Sequence, residues 1–287
     1  MSRVLNFSER NGYKMVSDVL QVETMSYELR NSLFNAIVIH IINTFFDEAR
    51  FTKSTTQSIY QALNSWGYYA KLDVFFRKFY CQILKQKITE IPDREEAWEV
   101  FERYFDKAEW HEVYSLLEWF VSQVLTQENA PSLFVEYVNM VLEENLSGYR
   151  FVDGLIVQIV DNKEISEISE ALSHKQEEIG KQISSALQSM HDKNYRHSVK
   201  ESISAVETFA RSKTGTSDMG AALSELEKFA VPKPIKQAFD KIYGWTCGPD
   251  GVRHALMNNA QDVTFAEAKF MLIVCSAFVN YLTVKMN

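Results

Sequence analysis

The chain is poor in the two residues that shape tight turns. Ten glycines and five prolines are spread over its 287 residues, less than half of the roughly 12% expected from average usage. Sandwiches, barrels and Gly-rich nucleotide folds need these residues at many turns, so the composition disfavours them. Apolar residues make up 46% of the chain, which suffices for a packed core and excludes a disordered protein. The sequence therefore predicts a mostly helical protein, and its length, at roughly 150 residues per domain, predicts two domains.

The sequence predicts a soluble cytoplasmic protein that makes no membrane contact. Its first residues are too polar for a signal peptide. The most apolar stretch, 268–284, is interrupted by Lys269 and Asn280 and is short for a membrane span. The three cysteines lie far apart and form no zinc pattern. The chain also has no P-loop, dinucleotide fingerprint, nucleophile elbow or zinc-protease motif, so we expect no metal and no cofactor.

Charge is unevenly distributed along the chain. Residues 88–128 contain eleven acidic and three basic residues, an excess equal to the net charge of −8 of the whole chain. We interpret this segment as a solvated helix face. The alternative is an antitoxin-like protein whose acidic face docks a basic second protein, and a phage or operon protein is a possible partner. A basic run, 71–87, carries interleaved aromatic residues. We interpret it as an amphipathic helix, and the alternative is a phosphate-tracking helix with stacking rings. Its apolar face would consist of Leu72, Phe75, Phe76, Phe79 and Ile83.

Helical periodicity dominates the N-terminal half. After a polar turn at 7–12, Ser26 is the predicted N-cap of the first long helix. Further helices are predicted over 55–64, 72–87, 93–104, 111–125 and 132–145. The segment 149–160 differs, because two β-branched runs flank Asp153-Gly154. This dipeptide between apolar runs is a strong β-hairpin signal.

The C-terminal half is again predicted to be helical. Apolar stripes run over 179–190 and over 199–209, where the helix ends near Gly215. A short helix precedes Pro232, another is expected to stop at Gly244, and a last one begins with a capping box at Thr264 and runs to about residue 284. This last helix is apolar nearly all round, as in a protein core or a dimer interface. The predicted fold is all-α with one β-hairpin, divided into a helical domain over 1–170 and a helical bundle over 171–287.

Two Arg-His dipeptides are the candidates for chemistry. Arg196-His197 and Arg253-His254 each lie at or near a predicted helix start. Helix N-termini favour phosphate groups, Arg stabilises charge on a phosphoryl intermediate, and His moves protons near neutral pH. These are the functions that a metal-free ribonuclease needs.

Several segments in order carry a resemblance to known families. The C-terminal segments 195–207, 238–244, 251–255 and 268–281 resemble a HEPN domain. The chain as a whole resembles bacterial proteins with an AbiJ N-terminal domain of the fourth type, through 7–12, 29–35 and the hairpin segment 149–157. Such proteins are associated with abortive infection, a defence against phage.

The resemblance implies a homodimer formed through the C-terminal helix and a metal-independent endoribonuclease. Members with this activity have an Arg, a polar residue and a His four to six places further on. Here Arg253 and the polar His254 match, but Asn258 stands where the second His is expected. We therefore assign catalysis to Arg253 and His254, with RNA as substrate. The substrate-binding residues would be Asn258, Arg196, His197 and Lys200.

Two alternatives to catalysis stay open. Arg253 could simply pair with Glu207, which is predicted to be half-buried in the middle of its helix, and so hold the bundle together. Separately, the protein could be a non-catalytic HEPN-like sensor or adaptor that binds RNA, a nucleotide, or a phage or host protein. The absence of the second His favours this alternative.

Overall fold

A computed structural model describes residues 7–11, 13, 20–45, 70–125, 130–216, 219–225, 231–247, 252 and 263–286. The chain divides into two compact units, Met1–Gln158 and Ile159–Asn287. The regular secondary structure of the described residues is helical except for one two-stranded antiparallel sheet and an isolated bridge, which confirms an all-α fold with one hairpin. The helix predicted over 55–64 lies outside the described residues, and the domain boundary at residue 170 stays a prediction.

The first unit contains six α-helices among its described residues, followed by the hairpin. The helices are α1 (Phe7–Arg10), α2 (Tyr27–Phe45), α3 (Ala70–Lys78), α4 (Arg94–Lys107), α5 (Trp110–Trp119) and α6 (Ala130–Glu144), and the strands are β1 (Arg150–Val152) and β2 (Leu155–Val157). Helices α3 and α5 continue as π-helical turns, Phe79–Ile83 and Phe120–Val124, and a 3-10 turn covers Ile88–Glu90.

Predicted helix starts in this unit are confirmed by their hydrogen bonds. The hydroxyl of Ser26 accepts from the Leu29 amide (3.2 Å), and the Asp93 carboxylate accepts from the Glu96 amide (3.0 Å). Each bond satisfies an amide that the helix leaves without a partner.

The basic run 71–87 is an amphipathic helix, as we interpreted it. Leu72, Phe75, Phe76 and Phe79 of its apolar face are buried, so the three phenylalanine rings belong to the core and cannot stack on bases. The predicted helical end at residue 87 is wrong, however. The π-turn ends at Ile83, and Lys85 has a left-handed backbone (φ 56°) that ends the helix.

The hairpin follows its turn chemistry. Arg150 pairs with Val157, Phe151 with Ile156 and Val152 with Leu155. Asp153 and Gly154 both have positive φ, 52° and 79°, as a two-residue type I′ turn requires. The hairpin does not stand alone, because the Asn139 side chain bonds both backbone groups of Phe151 and the Glu118 carboxylate accepts from the Ile156 amide.

The second unit is a helical bundle. Its described helices are α7 (Asn162–Leu172), α8 (Glu177–His191), α9 (Tyr195–Thr214), α10 (Met219–Glu225), α11 (Lys233–Cys247) and α12 (Phe265–Met286). Helix α9 packs against α8 and α12, and α7 packs against α12 and α8. The predicted apolar stripes over 179–190 and 199–209 form the core of this bundle.

Helix ends in the bundle follow the sequence with one exception. Gly215 ends α9 in a left-handed conformation (φ 71°), and the Thr264 amide donates to Glu267 in the predicted capping box. The predicted stop at Gly244 is wrong, since α11 continues to Cys247. A glycine within a helix lowers helix stability by only about 1 kcal/mol relative to alanine. The turn that follows Gly244 buries Thr246, and this packing accompanies the continuation of the helix.

Helix α12 is the one described helix that is long and apolar enough to cross a membrane, and half of its apolar window is buried within the fold. Two of its polar residues are paired inside the bundle. Lys269 forms an ion pair with Glu164 (2.9 Å), and the Asn280 amide donates to the backbone and the carboxylate of Glu167 (both 2.9 Å). A core helix of a soluble protein has this pattern.

Candidate functional site

The N-terminal end of α9 carries the first Arg-His dipeptide. Asn194 caps the helix by accepting from the His197 amide (3.3 Å). Arg196 Nη1 donates to the carbonyl oxygen of Val252 (3.0 Å). Val252 directly precedes Arg253 in the sequence. One hydrogen bond therefore links the two chain segments that carry the predicted site residues.

His197 and Lys200 lie on the accessible side of the same helix. The His197 side chain is 43% exposed, and its Nε2 lies 3.7 Å from Oε1 of Glu201. Lys200 is exposed, and residues three and four apart on a helix are neighbours. Arg196, His197, Lys200 and Glu201 thus form one polar surface with an imidazole, two cations and a carboxylate.

A second helix begins beside this surface. The ring of Phe265, the first residue of α12, packs edge-on against Tyr195, the first residue of α9, with ring centres 6.1 Å apart. The N-termini of α9 and α12 therefore lie together at one end of the bundle. Both termini direct partial positive charge to this end, which adds to the charge of Arg196 and Lys200.

Glu207 lies three turns further along α9. It is 5% exposed, and Oε2 lies 3.5 Å from Nη2 of Arg211. Burial, the Cys247 thiol and the Glu207 charge raise the pKa of the neighbouring Tyr243 hydroxyl well above its usual range. The predicted burial of Glu207 is confirmed, and Arg211 supplies a counter-charge. Arg211 is thus one partner of this carboxylate, and the predicted pair between Glu207 and Arg253 lies outside the described residues.

The structure brings together half of the predicted site. Arg196, His197 and Lys200 share one end of α9, whereas Arg253, His254 and Asn258 lie outside the described residues. Sequence reasoning missed Glu201, although its spacing of four residues after His197 is a signal for a contact on one helix face. Among the described residues, no group of three His, Cys, Asp or Glu side chains has the arrangement of a metal site.

The described residues define a class of protein with two helical units and one type I′ hairpin. In its C-terminal bundle, Arg196 and Lys200 lie where the N-termini of α9 and α12 meet. Residues 5–174 match the family model for AbiJ N-terminal domain 4. This match covers more than half of the chain, so the chain belongs to the AbiJ N-terminal domain 4 family. No curated protein and no solved structure shows a significant match to the chain.

Proposed function

We propose that the protein acts in abortive infection against phage and that its C-terminal unit is a HEPN-like endoribonuclease. The family membership supports the defence role, since AbiJ-type domains suggest abortive infection. The ribonuclease proposal rests on the bond between Arg196 and the Val252 carbonyl. This bond joins the α9 surface to the chain segment that continues into Arg253-His254.

The proposed reaction is transesterification at an RNA phosphate. His254 takes the proton from the ribose 2′-hydroxyl, and the resulting oxygen attacks the adjacent phosphorus. Arg253 stabilises the additional negative charge on the phosphoryl oxygens. The bond to the 5′-oxygen of the next nucleotide breaks, and that oxygen receives the proton that His254 took from the 2′-hydroxyl, which leaves a 2′,3′-cyclic phosphate and neutral His254.

The remaining predicted site residues would hold the RNA strand. His197 and Lys200, both accessible, and Asn258 contact the phosphates that flank the cleaved bond. Arg196 positions the segment before Arg253 through its Val252 bond, and its guanidinium group adds positive charge to the surface.

An assay with purified protein and total bacterial RNA in EDTA tests the proposal. The wild type should cleave RNA into discrete fragments, and Arg253→Ala/His254→Ala should leave it intact. A matched control is Arg103→Ala/His111→Ala, which removes an exposed Arg and an exposed His from the first unit and should cleave like the wild type. Equal cleavage by wild type and site variant would refute the assignment of Arg253 and His254.

A non-catalytic sensor or adaptor is the second candidate, and one observation favours it. Asn258 stands in place of the second His. Induced expression in a bacterial host separates the candidates. A nuclease should slow growth only with Arg253 and His254 present, whereas an adaptor should affect growth equally with and without them.

We also propose a homodimer through α12. Phe270 is 53% and Val284 is 75% exposed, on a helix whose apolar window is half buried within the fold. The two residues are fourteen positions apart, so they lie within about 40° of each other on the helix surface. Light scattering at micromolar concentration should give twice the 33.2 kDa chain mass, and Phe270→Glu should give the monomer mass. A monomeric wild type would refute the dimer.

A further inference from the structure

A cavity of about 420 Å³ opens in the second unit at the opposite end of α9 from the candidate site. Its walls come from the turn between α7 and α8, the last turns of α9 and the last turns of α12. Phe209 lies about thirteen residues beyond Arg196 on α9, which places the cavity roughly 20 Å away along the helix axis. Its volume lies within the range of roughly 300–1,000 Å³ of small-molecule sites. The residues that line it are Glu170, Ser173, His174, Lys175, Gln176, Phe209, Lys213, Asn280 and Thr283.

Two lysines give this cavity its charge. Lys175 and Lys213 both line it, and neither has a carboxylate within ion-pair distance among the described residues. Lys213 Nζ lies 5.7 Å from the ring centre of Phe209, a cation–π contact that holds it at the cavity wall. Among the described residues of the lining, Glu170 is the one acidic side chain. In a chain with a net charge of −8, this is a local excess of positive charge around a concave surface.

The histidine at the cavity wall is neutral and fixed in orientation. The Gln176 amide donates to Nδ1 (3.0 Å), so the proton is on Nε2, which donates to the Thr283 hydroxyl (3.1 Å). That hydroxyl in turn donates to the Val279 carbonyl (2.8 Å). The imidazole edge also packs against the Phe209 ring, with ring centres 5.6 Å apart. These contacts preform the cavity wall, which reduces the cost of ordering it around a ligand.

We propose that this cavity binds a phosphate monoester of mononucleotide size. Lysine ammonium groups are point-charge partners for phosphate, and Lys175 and Lys213 would hold the phosphate group. The volume of the cavity leaves room for a nucleoside beside it. This cavity is separate from the candidate site at the N-terminal end of α9, and the proposal of phosphate binding does not rest on the ribonuclease proposal.

Isothermal titration of the full chain with AMP tests the site. AMP should bind the wild type, inorganic phosphate should compete with it, and adenosine should not compete. Lys175→Gln/Lys213→Gln should weaken AMP binding at least tenfold. The matched control Lys163→Gln/Lys241→Gln removes the same charge from exposed lysines elsewhere in the unit and should bind AMP like the wild type.

Three results would overturn the proposal: no AMP binding at millimolar concentration, equal affinity of wild type and Lys175→Gln/Lys213→Gln, or competition by adenosine as strong as that by AMP. A further arm distinguishes two sources of the same phosphate chemistry. A 5′-phosphorylated RNA trinucleotide that competes with AMP would indicate an RNA 5′ end as ligand. A trinucleotide that fails to compete, with AMP still bound, would indicate a free mononucleotide.

Discussion

A glycine in α8 gives the sharpest prediction about the packing of the bundle. A Cβ atom on Gly180 would lie 2.4 Å from the carbonyl oxygen of Leu172, the last residue of α7, whereas ordinary contacts begin at 3.4 Å. Gly180→Ala therefore requires the backbone at Leu172 to move by about 1 Å. Overpacking costs about 1–3 kcal/mol, and we take the upper end because backbone cannot rotate away. Alanine has a higher helix propensity than glycine, which offsets about 1 kcal/mol of this cost. The net loss in unfolding free energy is therefore about 2 kcal/mol.

Urea unfolding followed by circular dichroism measures this loss. A loss of about 2 kcal/mol lowers the midpoint of the second unit by roughly 1 M urea. Gly244→Ala is the matched control, because Gly244 lies within α11 and a Cβ there meets no atom within 4 Å. It should raise the unfolding free energy by about 0.5–1 kcal/mol. A Gly180→Ala protein as stable as the wild type would refute the close approach of α7 and α8.

Three further predictions concern single contacts. Burial lowers the pKa of His174 below its usual 6.5, so the unfolded state binds more protons than the folded state. The stability that neutral His174 provides is full above about pH 7.5 and falls as the pH drops through 6.5. Urea midpoints between pH 5 and 8 should therefore depend less on pH in His174→Gln, and an unchanged dependence would contradict this. Tyr114→Phe removes the hydroxyl that lies 2.8 Å from the buried Ser147 hydroxyl and should lower the unfolding free energy by about 1–2 kcal/mol. An unchanged urea midpoint of the first unit would show that this bond contributes nothing. Gly154→Ala places a side chain at φ 79° and should cost about 1 kcal/mol, measured as a lower melting temperature, and a melting temperature equal to that of the wild type would contradict the type I′ turn.

Local signals in the sequence predict the elements because their physics is local. Asp153-Gly154 predicts the hairpin since a type I′ turn needs positive φ at both positions, and Ser26 and Thr264 supply oxygen acceptors for helix amides. The stop at Gly244 fails because helix propensity is weak and packing overrides it. The π-turns that end α3 and α5 have no composition signal and were not predicted.

The sites are harder to predict because they join distant residues. The spacing of Arg196, His197 and Lys200 places them on one helix end, and the structure confirms that they share it. The bond from Arg196 to Val252 spans 56 positions, and no pattern in either segment specifies it. The cavity at His174 is built from three separate parts of the second unit, so only the fold reveals it.

The 3′ ends of RNA fragments made in EDTA provide the most direct test of the central claim. If His254 and Arg253 catalyse transesterification, the wild type should produce fragments that end in 2′,3′-cyclic phosphate, and Arg253→Ala/His254→Ala should produce none. Fragments that end in a 3′-hydroxyl would contradict the mechanism. Intact RNA with the wild type, alone and in extracts of phage-infected cells, would contradict the ribonuclease and favour the adaptor.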